Sequence, residues 1–290
     1  MSIAGGPAKA IDRALSIGCN AMQIFVKNNM QWFAPPFLPA EISDFCNHPR
    51  RSELQFVFGH TGYLINLAAT NPETHAHSVR SLREELIRGE FLQLPFLVLH
   101  PGAHMGAGVN EGLQKIVTTL DGVFAELSNL KIQIALEITA GQGTCLGHTF
   151  EQLAFIIEKS ETPERLCVCL DTAHLFAAGY DISTAKGVRE TFKQFDAIIG
   201  SDRLAALHLN DSKTILNSRV DRHDNIGHGK MGLEPFRYLM TEKRFLKIPK
   251  ILETPKGKDL AEDRDAMELS SFTHEVAALS REHEVVAAVS

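Results

Sequence analysis

Six short apolar runs each end on, or hold, a side chain able to bind a metal ion. They are FVFGH at His60, FLVLH at His100, IQIALE at Glu137, CVCLD at Asp171, AALHL around His208 and PKILE at Glu253. Three further candidates lie close to these in sequence: His174 follows Asp171 in LDTAH, and Asp221 with His223 forms a D-x-H pair inside the segment 210–232. A mixture of imidazoles and carboxylates suits zinc or manganese better than calcium, which prefers all-oxygen cages. A single His closing an apolar run is more often a hydrogen-bonded rim residue than a ligand. Nine such positions, five His, two Asp and two Glu, carry more weight together. With three protein ligands per catalytic ion and one bridging carboxylate, they would serve two or three ions.

Ions set about 3.5–4 Å apart can hold a hydroxide for attack while further positive charge stabilises a leaving oxygen, the arrangement that hydrolyses a phosphodiester. The rival reading is a metal-dependent sugar isomerase, which uses the same kind of barrel and a divalent pair. Isomerase sites lean on carboxylates with a lysine, and this set is His-rich. A barrel that only binds is the third reading, and an intact ligand set argues against it.

The six runs recur at intervals of about forty residues, the length of one strand plus one crossover helix. The chain therefore reads as repeating βα units with the candidate ligands at strand carboxyl ends, where a TIM (β/α)8 barrel keeps its active site. Strands are expected at 21–26, 55–60, 96–100, 131–137, 166–171, 204–209 and 249–253. Helices are expected at 7–17, 76–94, 111–128, 149–160, 184–200 and 260–280. Seven strands fall one short of a closed barrel, so the α/β fold is expected with its first strand truncated. No linker divides the chain, and 1–290 reads as a single domain.

Composition excludes several classes. At 44% hydrophobic and 22% charged residues, the 290-residue chain can build one large core. No run reaches the roughly 18 apolar residues of a membrane span, and Lys9, Asp12 and Arg13 stand where a signal peptide would be apolar. The expectation is a cytoplasmic monomer without a membrane partner. Five cysteines without a C-x-x-C pair read as reduced thiols. The net charge of −6 excludes a broadly basic coat and leaves room for a local positive patch. Lys213, Arg219, Arg222 and Lys230 supply one, within the loop that holds Asp221 and His223.

Longer blocks are also present: HTGYLINLA (60–68), LHPGAHMG (99–106), LEITAGQGTCLG (136–147), LDTAHLFAAGYDI (170–182), LHLNDSK (207–213), SRVDRH (218–223), GHGKMG (227–232) and LETP (252–255). In order and spacing these resemble the signature blocks of the endonuclease IV family of apurinic/apyrimidinic endonucleases. The resemblance runs from 4–6 to about residue 256. It implies a zinc-dependent TIM barrel of base excision repair that cleaves double-stranded DNA 5′ to abasic sites and clears blocked 3′ ends. It further implies three Zn2+ ions, with Mn2+ able to stand at some sites. His60 and His100 would hold the first, and Glu137 would bridge it to the second. Asp171, His208 and Glu253 would complete the second, while His174, Asp221 and His223 would hold the third. Glu137 or Glu253 would orient the attacking hydroxide and accept its proton.

An abasic nucleotide flips out cheaply, and an apolar wedge can fill the gap. The resemblance assigns that role to Tyr63 and Leu64. Met30 stands in the loop where relatives often carry a basic residue, and Trp32 is expected to pack beneath it. Phosphate contacts are expected from Lys213, Arg219 and Arg222. Ile138 replaces an asparagine usual in the family, which questions any hydrogen bond from there to Glu137, and His104 is expected near a phosphate or behind a ligand. Met1–Gly6 begins inside a family segment that normally follows the first strand. The expectation is therefore that translation starts upstream and that the edges of 21–26 and 249–253 stand unpaired.

Overall fold

All seven runs expected as strands form strands, parallel to one another in one sheet. They are β1 (Ala21–Phe25), β2 (Phe56–His60), β3 (Phe96–Leu99), β4 (Gln133–Glu137), β5 (Leu166–Asp171), β6 (Leu204–Leu209) and, after two short strands described below, β9 (Lys250–Leu252). The computed structural model describes residues 1–255 and the backbone of 286–288. The last three residues form β10 (Val286–Ala288), and the sheet order is β1-β2-β3-β4-β5-β6-β9-β10. Parallel strands in a barrel are covered on both faces, which is why these segments read as unbroken apolar runs rather than alternating ones. Every residue of β5 is buried.

The expectation of an open edge at 249–253 is not met. β10 pairs in parallel with β9, Val286 opposite Lys250 and Ala288 opposite Leu252, and its other side lies against β1. A three-residue strand carries too little pattern to be read from sequence. Met1 is buried, and its amino group donates to the carbonyl of Gln23 on β1.

Helices α1 (Ala8–Ser16), α3 (Pro72–Phe91), α4 (Val109–Glu126), α5 (Phe150–Lys159) and α7 (Ala185–Ile198) cover the outside near the expected ranges. α3 starts four residues early because the Asn71 side chain accepts from Thr74 N at 2.9 Å and Pro72 occupies the first turn. Three helices are absent from the sequence expectation: α2 (Pro39–Cys46), α6 (Thr172–Ala178) and α8 (Glu234–Thr241), each of eight residues or fewer. So short a segment completes barely two turns, which is too few for a 3.6-residue period to stand out. The helix expected at 260–280 lies outside the described residues.

Between β6 and α8 the chain makes a long excursion over the barrel mouth. Its base is an antiparallel pair, β7 (Asp211–Ser212) with β8 (His223–Asp224). Buried Asp211 clamps the returning segment: Oδ1 accepts from Ser212 N and Met231 N, and Oδ2 accepts from Gly227 N and Gly229 N, all within 3.1 Å. No side chain fits at Gly229, where a Cβ would lie 2.4 Å from Asp211 Oδ1.

Gly59 is needed for a similar reason, inside β2 and next to His60. A Cβ there would stand 2.4 Å from Leu97 Cδ2 and 3.3 Å from the Ile24 carbonyl oxygen. Gly59→Ala should therefore cost about 1–3 kcal/mol of stability through overpacking. Urea unfolding of the variant measures this, and an unchanged midpoint would show that Leu97 repacks freely.

Candidate metal centre

All nine candidate ligands converge at the carboxyl ends of the strands. Register explains part of this. His60 closes β2, Glu137 closes β4, and Asp171 closes β5 directly opposite His208 on β6. A register shift between Val168 and Cys169 precedes that pair, and an irregularity of this kind re-aims side chains beside a site. His100 and Glu253 follow β3 and β9 immediately. His174 reaches the same place because α6 starts at the strand end. Asp171 caps that helix, Oδ1 accepting from His174 N at 2.9 Å, so the two side chains share one face. The β7/β8 base returns Asp221 and His223 over the mouth.

Glu137 lies at the centre with no exposed surface. His60 Nε2 and His100 Nε2 stand 3.2 and 2.9 Å from its Oε2, and His208 Nδ1 stands 2.9 Å from its Oε1. Around it, donor atoms gather in groups compact enough for an ion: His60, His100 and Glu137; Glu137, Asp171, His208 and Glu253; Asp171, His174 and His223. Asp221 joins the last group, 3.3 Å from His174 Nε2 and 3.2 Å from His223 Nε2. These groups overlap the sets that the sequence resemblance implies, with Asp171 reaching toward the third as well, and Glu137, Cys169 and His208 form a further compact group. Buried imidazole and carboxylate donors at such separations suit zinc.

Burial and charge pull against each other at Glu137, Glu253, His174 and His223. Burial opposes ionisation of Glu137, but the charge and hydrogen bonds of His208 and His100 outweigh it and hold the carboxyl well below the usual range. Glu253 is held at about 2, again against its burial, by His208. Burial should lower His174, yet Asp171 and Asp221 raise it well above its ordinary value. His223 is pushed up to about 9 against burial by Asp171 and Asp221. Each shift sets an imidazole against a carboxylate, the pairing that a bound cation would replace.

The chain is similar to known proteins along nearly its whole length. A family model described as a xylose isomerase-like TIM barrel matches residues 11–272. A protein of Geobacter sulfurreducens named "Probable endonuclease 4" is 47% identical over 272 residues, 94% of this chain and 91% of that one. The chain belongs to the endonuclease IV family. The crystal structure of endonuclease IV from Thermus thermophilus superposes with a TM-score of 0.84 at 32% identity, covering 96% of this chain and 98% of that one. A D-tagatose 3-epimerase-like protein superposes with a TM-score of 0.70 at 20% identity, over 96% and 98% of the two chains. That likeness speaks to the barrel alone.

Beyond the ligands, the endonuclease IV site rests on residues that the sequence did not single out. Gln23, fully buried on β1, donates from Nε2 to Glu253 Oε1 at 2.9 Å, and its Oε1 accepts from His208 Nε2 at 2.8 Å. One amide therefore fixes both the ring orientation of His208, whose Nδ1 faces the centre, and the rotamer of Glu253. Asn210 donates to Asp171 Oδ2 and accepts from Glu253 N. Gln142 Oε1 accepts from Asp221 N at 3.2 Å. A buried Gln interrupting a strand that otherwise reads Ala-Met-x-Ile-Phe was the available signal.

The positions expected to meet DNA surround this centre. Tyr63 and Leu64 line a cavity of about 250 Å³ together with His100, His174 and Asp221. Tyr63 is 53% exposed and sets its ring edge-on to His60, and Met30 is 63% exposed. Lys213 and Arg222 are exposed, whereas Arg219 is half-buried with Nε 3.3 Å from Asn217 Oδ1. Trp32 is half-buried against His77 on α3. His104 does not point at the centre: its Nδ1 accepts from Gly106 N and Gly108 N and ties its own loop. Ile138 is buried, and its carbonyl accepts from His174 Nδ1 at 2.8 Å, so the backbone at this position supports a candidate ligand where the side chain does not.

Two outcomes follow from this geometry. Gln23→Leu should weaken zinc binding by about 10–100-fold, the usual cost of removing a hydrogen bond behind a ligand. Titration against a competing chelator reads it, and wild-type affinity would remove Gln23 from the site. The second concerns pH. Protonated His223 stabilises the metal-free fold below its ordinary 6.5, and that contribution is lost as pH rises through about 9. Zinc needs the neutral ring, so its affinity must climb over the same interval. Melting of the metal-free protein and zinc titration across this window should move in opposite directions; parallel trends would contradict the assignment.

Proposed function

We propose that this chain, 1–290 as one domain, is a zinc-dependent apurinic/apyrimidinic endonuclease of base excision repair. It hydrolyses the phosphodiester 5′ to an abasic site in double-stranded DNA and clears blocked 3′ ends. The observation that carries the reading is the convergence of nine donors, with buried Glu137 at their centre, in a chain of the endonuclease IV family. His60, His100 and Glu137 would hold one ion, Glu137, Asp171, His208 and Glu253 a second, and His174, Asp221 and His223 a third. Zn2+ fits this His-rich set, and Mn2+ could stand at the more carboxylate-rich one. Bound there, the ions would supply Lewis acidity that activates water at neutral pH and neutralises charge on the reacting phosphate.

The chain's own groups do the rest. Glu137 and Glu253 orient the attacking water and accept its proton. Oxygen then bonds to phosphorus as the bond from phosphorus to the 3′ oxygen breaks, leaving a 3′-hydroxyl and a 5′-phosphate. Tyr63 and Leu64 fill the gap beside the extruded nucleotide, with Met30 on the adjacent loop. Lys213, Arg219 and Arg222 meet the backbone phosphates.

One chain supplies every ligand, which supports a monomer as the working unit. Five free cysteines among the described residues support a reducing compartment, in keeping with a cytoplasmic enzyme. Among the described residues no helix is long and apolar enough to cross a membrane.

The zinc-loaded protein should nick a duplex at a single abasic site, leave the undamaged duplex intact and fail to isomerise aldoses; the reverse pattern would favour the sugar isomerase. Glu137→Gln should lower cleavage by about a thousandfold, worth about 4 kcal/mol, while the fold persists. Near-wild-type turnover with metal content confirmed would refute the bridging role. Tyr63→Ala should weaken binding to abasic DNA more than to undamaged duplex, base–aromatic contact being worth about 1–3 kcal/mol. Equal losses on both would make Tyr63 a packing residue.

A further inference from the structure

One face of α3 is polar where a barrel helix should be apolar. Ser81, Glu85 and Arg88 follow each other at i, i+4 and i+7, and all three are buried. Each grips one of two segments that frame the site. Glu85 Oε1 pairs with Lys27 Nζ at 2.9 Å, with the two side chains 1% and 2% exposed. Glu85 Oε2 accepts from Gly62 N at 2.9 Å, and Lys27 Nζ donates to the Gln31 carbonyl at 2.6 Å. Ser81 Oγ donates to the Trp32 carbonyl at 2.9 Å. Arg88 donates to the carbonyls of Val26 and Pro35, both at 2.7 Å.

The two segments are also stitched to each other, Tyr63 N donating to the Asn29 carbonyl at 3.0 Å. Gly62 leaves room for this junction: a Cβ there would stand 2.9 Å from Lys27 Nζ and 3.2 Å from the Asn29 carbonyl oxygen.

A buried ion pair adds little net stability, because desolvation offsets most of the attraction, and an apolar pair of similar volume would serve the core as well. What the charged pair adds is direction. One carboxylate and one ammonium hold the backbone of both segments, from which Met30 and Tyr63 project toward solvent. We infer that Lys27 and Glu85 are positioning residues for damage recognition. Their pair locks the segments 28–32 and 61–64 together so that Met30 and Tyr63 present to the duplex as one rigid wedge. This rests on the proposed reading of Tyr63 and Met30 as DNA-facing residues. The pair touches no candidate metal ligand.

The test uses the zinc-loaded full chain with two duplexes, one carrying a single abasic site and one undamaged. Lys27→Met with Glu85→Leu removes both charges together and avoids stranding either. The expected result is unchanged zinc content and a fall of about tenfold in the ratio of abasic to undamaged affinity, the scale of one lost stacking contact. Gly62→Ala presses on the same junction without altering any charge, and should lower the ratio in the same direction even where the double variant folds poorly. A ratio that stays at the wild-type value in either folded variant overturns the inference, as does an equal loss on both duplexes, which a merely structural role would give. Wild-type protein that fails to nick the abasic duplex would instead overturn the proposed function.

Discussion

A carboxylate with no access to water has to be neutralised where it stands, and Glu137 at the centre of the barrel mouth imposes that demand on everything around it. Three imidazoles lie within 3.2 Å of its oxygens, and two of them, His208 and His100, overcome the burial that would otherwise keep it protonated. The same logic spreads outward. Asp171 and Asp221 raise the neighbouring His174 and His223, so carboxylate faces imidazole throughout the cluster. Such a site is poised for exchange, since a divalent ion satisfies the same carboxylates more strongly and frees the imidazole protons.

Exchange requires that the rings already face inward, and the backbone arranges this. Three histidines place Nδ1 against a carbonyl: His60 against Thr61 at 2.7 Å, His174 against Ile138 at 2.8 Å and His223 against Glu253 at 3.2 Å. Each then presents Nε2 to the centre. His208 is turned the other way by Gln23, and presents Nδ1. A strand end supplies such carbonyls without loss to the ladder, because the next residue no longer pairs. Placing the centre at the carboxyl ends of parallel strands therefore gives both the convergence of side chains and the acceptors that orient them.

How much of this is legible in the sequence depends on pattern length. The strands are readable because burial on both faces makes each an unbroken apolar run, and a ligand closing such a run stands out against it. Six of the nine donors are visible for that reason, while His174, Asp221 and His223 stand out by their closeness to these in sequence and by the family-like blocks around them. Gln23 is not, because a lone polar residue in a five-residue strand reads equally as a rim position, and its role appears only when β9 and β6 fold beside it. Asp211 looks like one more acid in a charged loop, although it organises the return of that loop through four backbone amides. The eighth place in the sheet departs from expectation: the edge of β9 reads as open, and residues 286–288 cover it. Nothing local to those residues names a partner more than thirty positions away.

Charge decides how the proposed chemistry and DNA attraction fit together. The chain carries a formal charge of −6, and its mouth holds the carboxylates of Glu137, Asp171, Asp221 and Glu253. The imidazoles beside them offset part of that charge, and Lys213, Arg219 and Arg222 lie in the loop that carries Asp221 and His223. The exposed rim is partly apolar, with Met30, Tyr63 and Met105 each more than half exposed, so it favours an unstacked gap over an intact backbone. Three divalent ions on the proposed ligand sets would outweigh the four carboxylates. Metal loading would then favour seating the scissile phosphate as well as cleaving it, which ties substrate binding to the same buried carboxylate that organises the site.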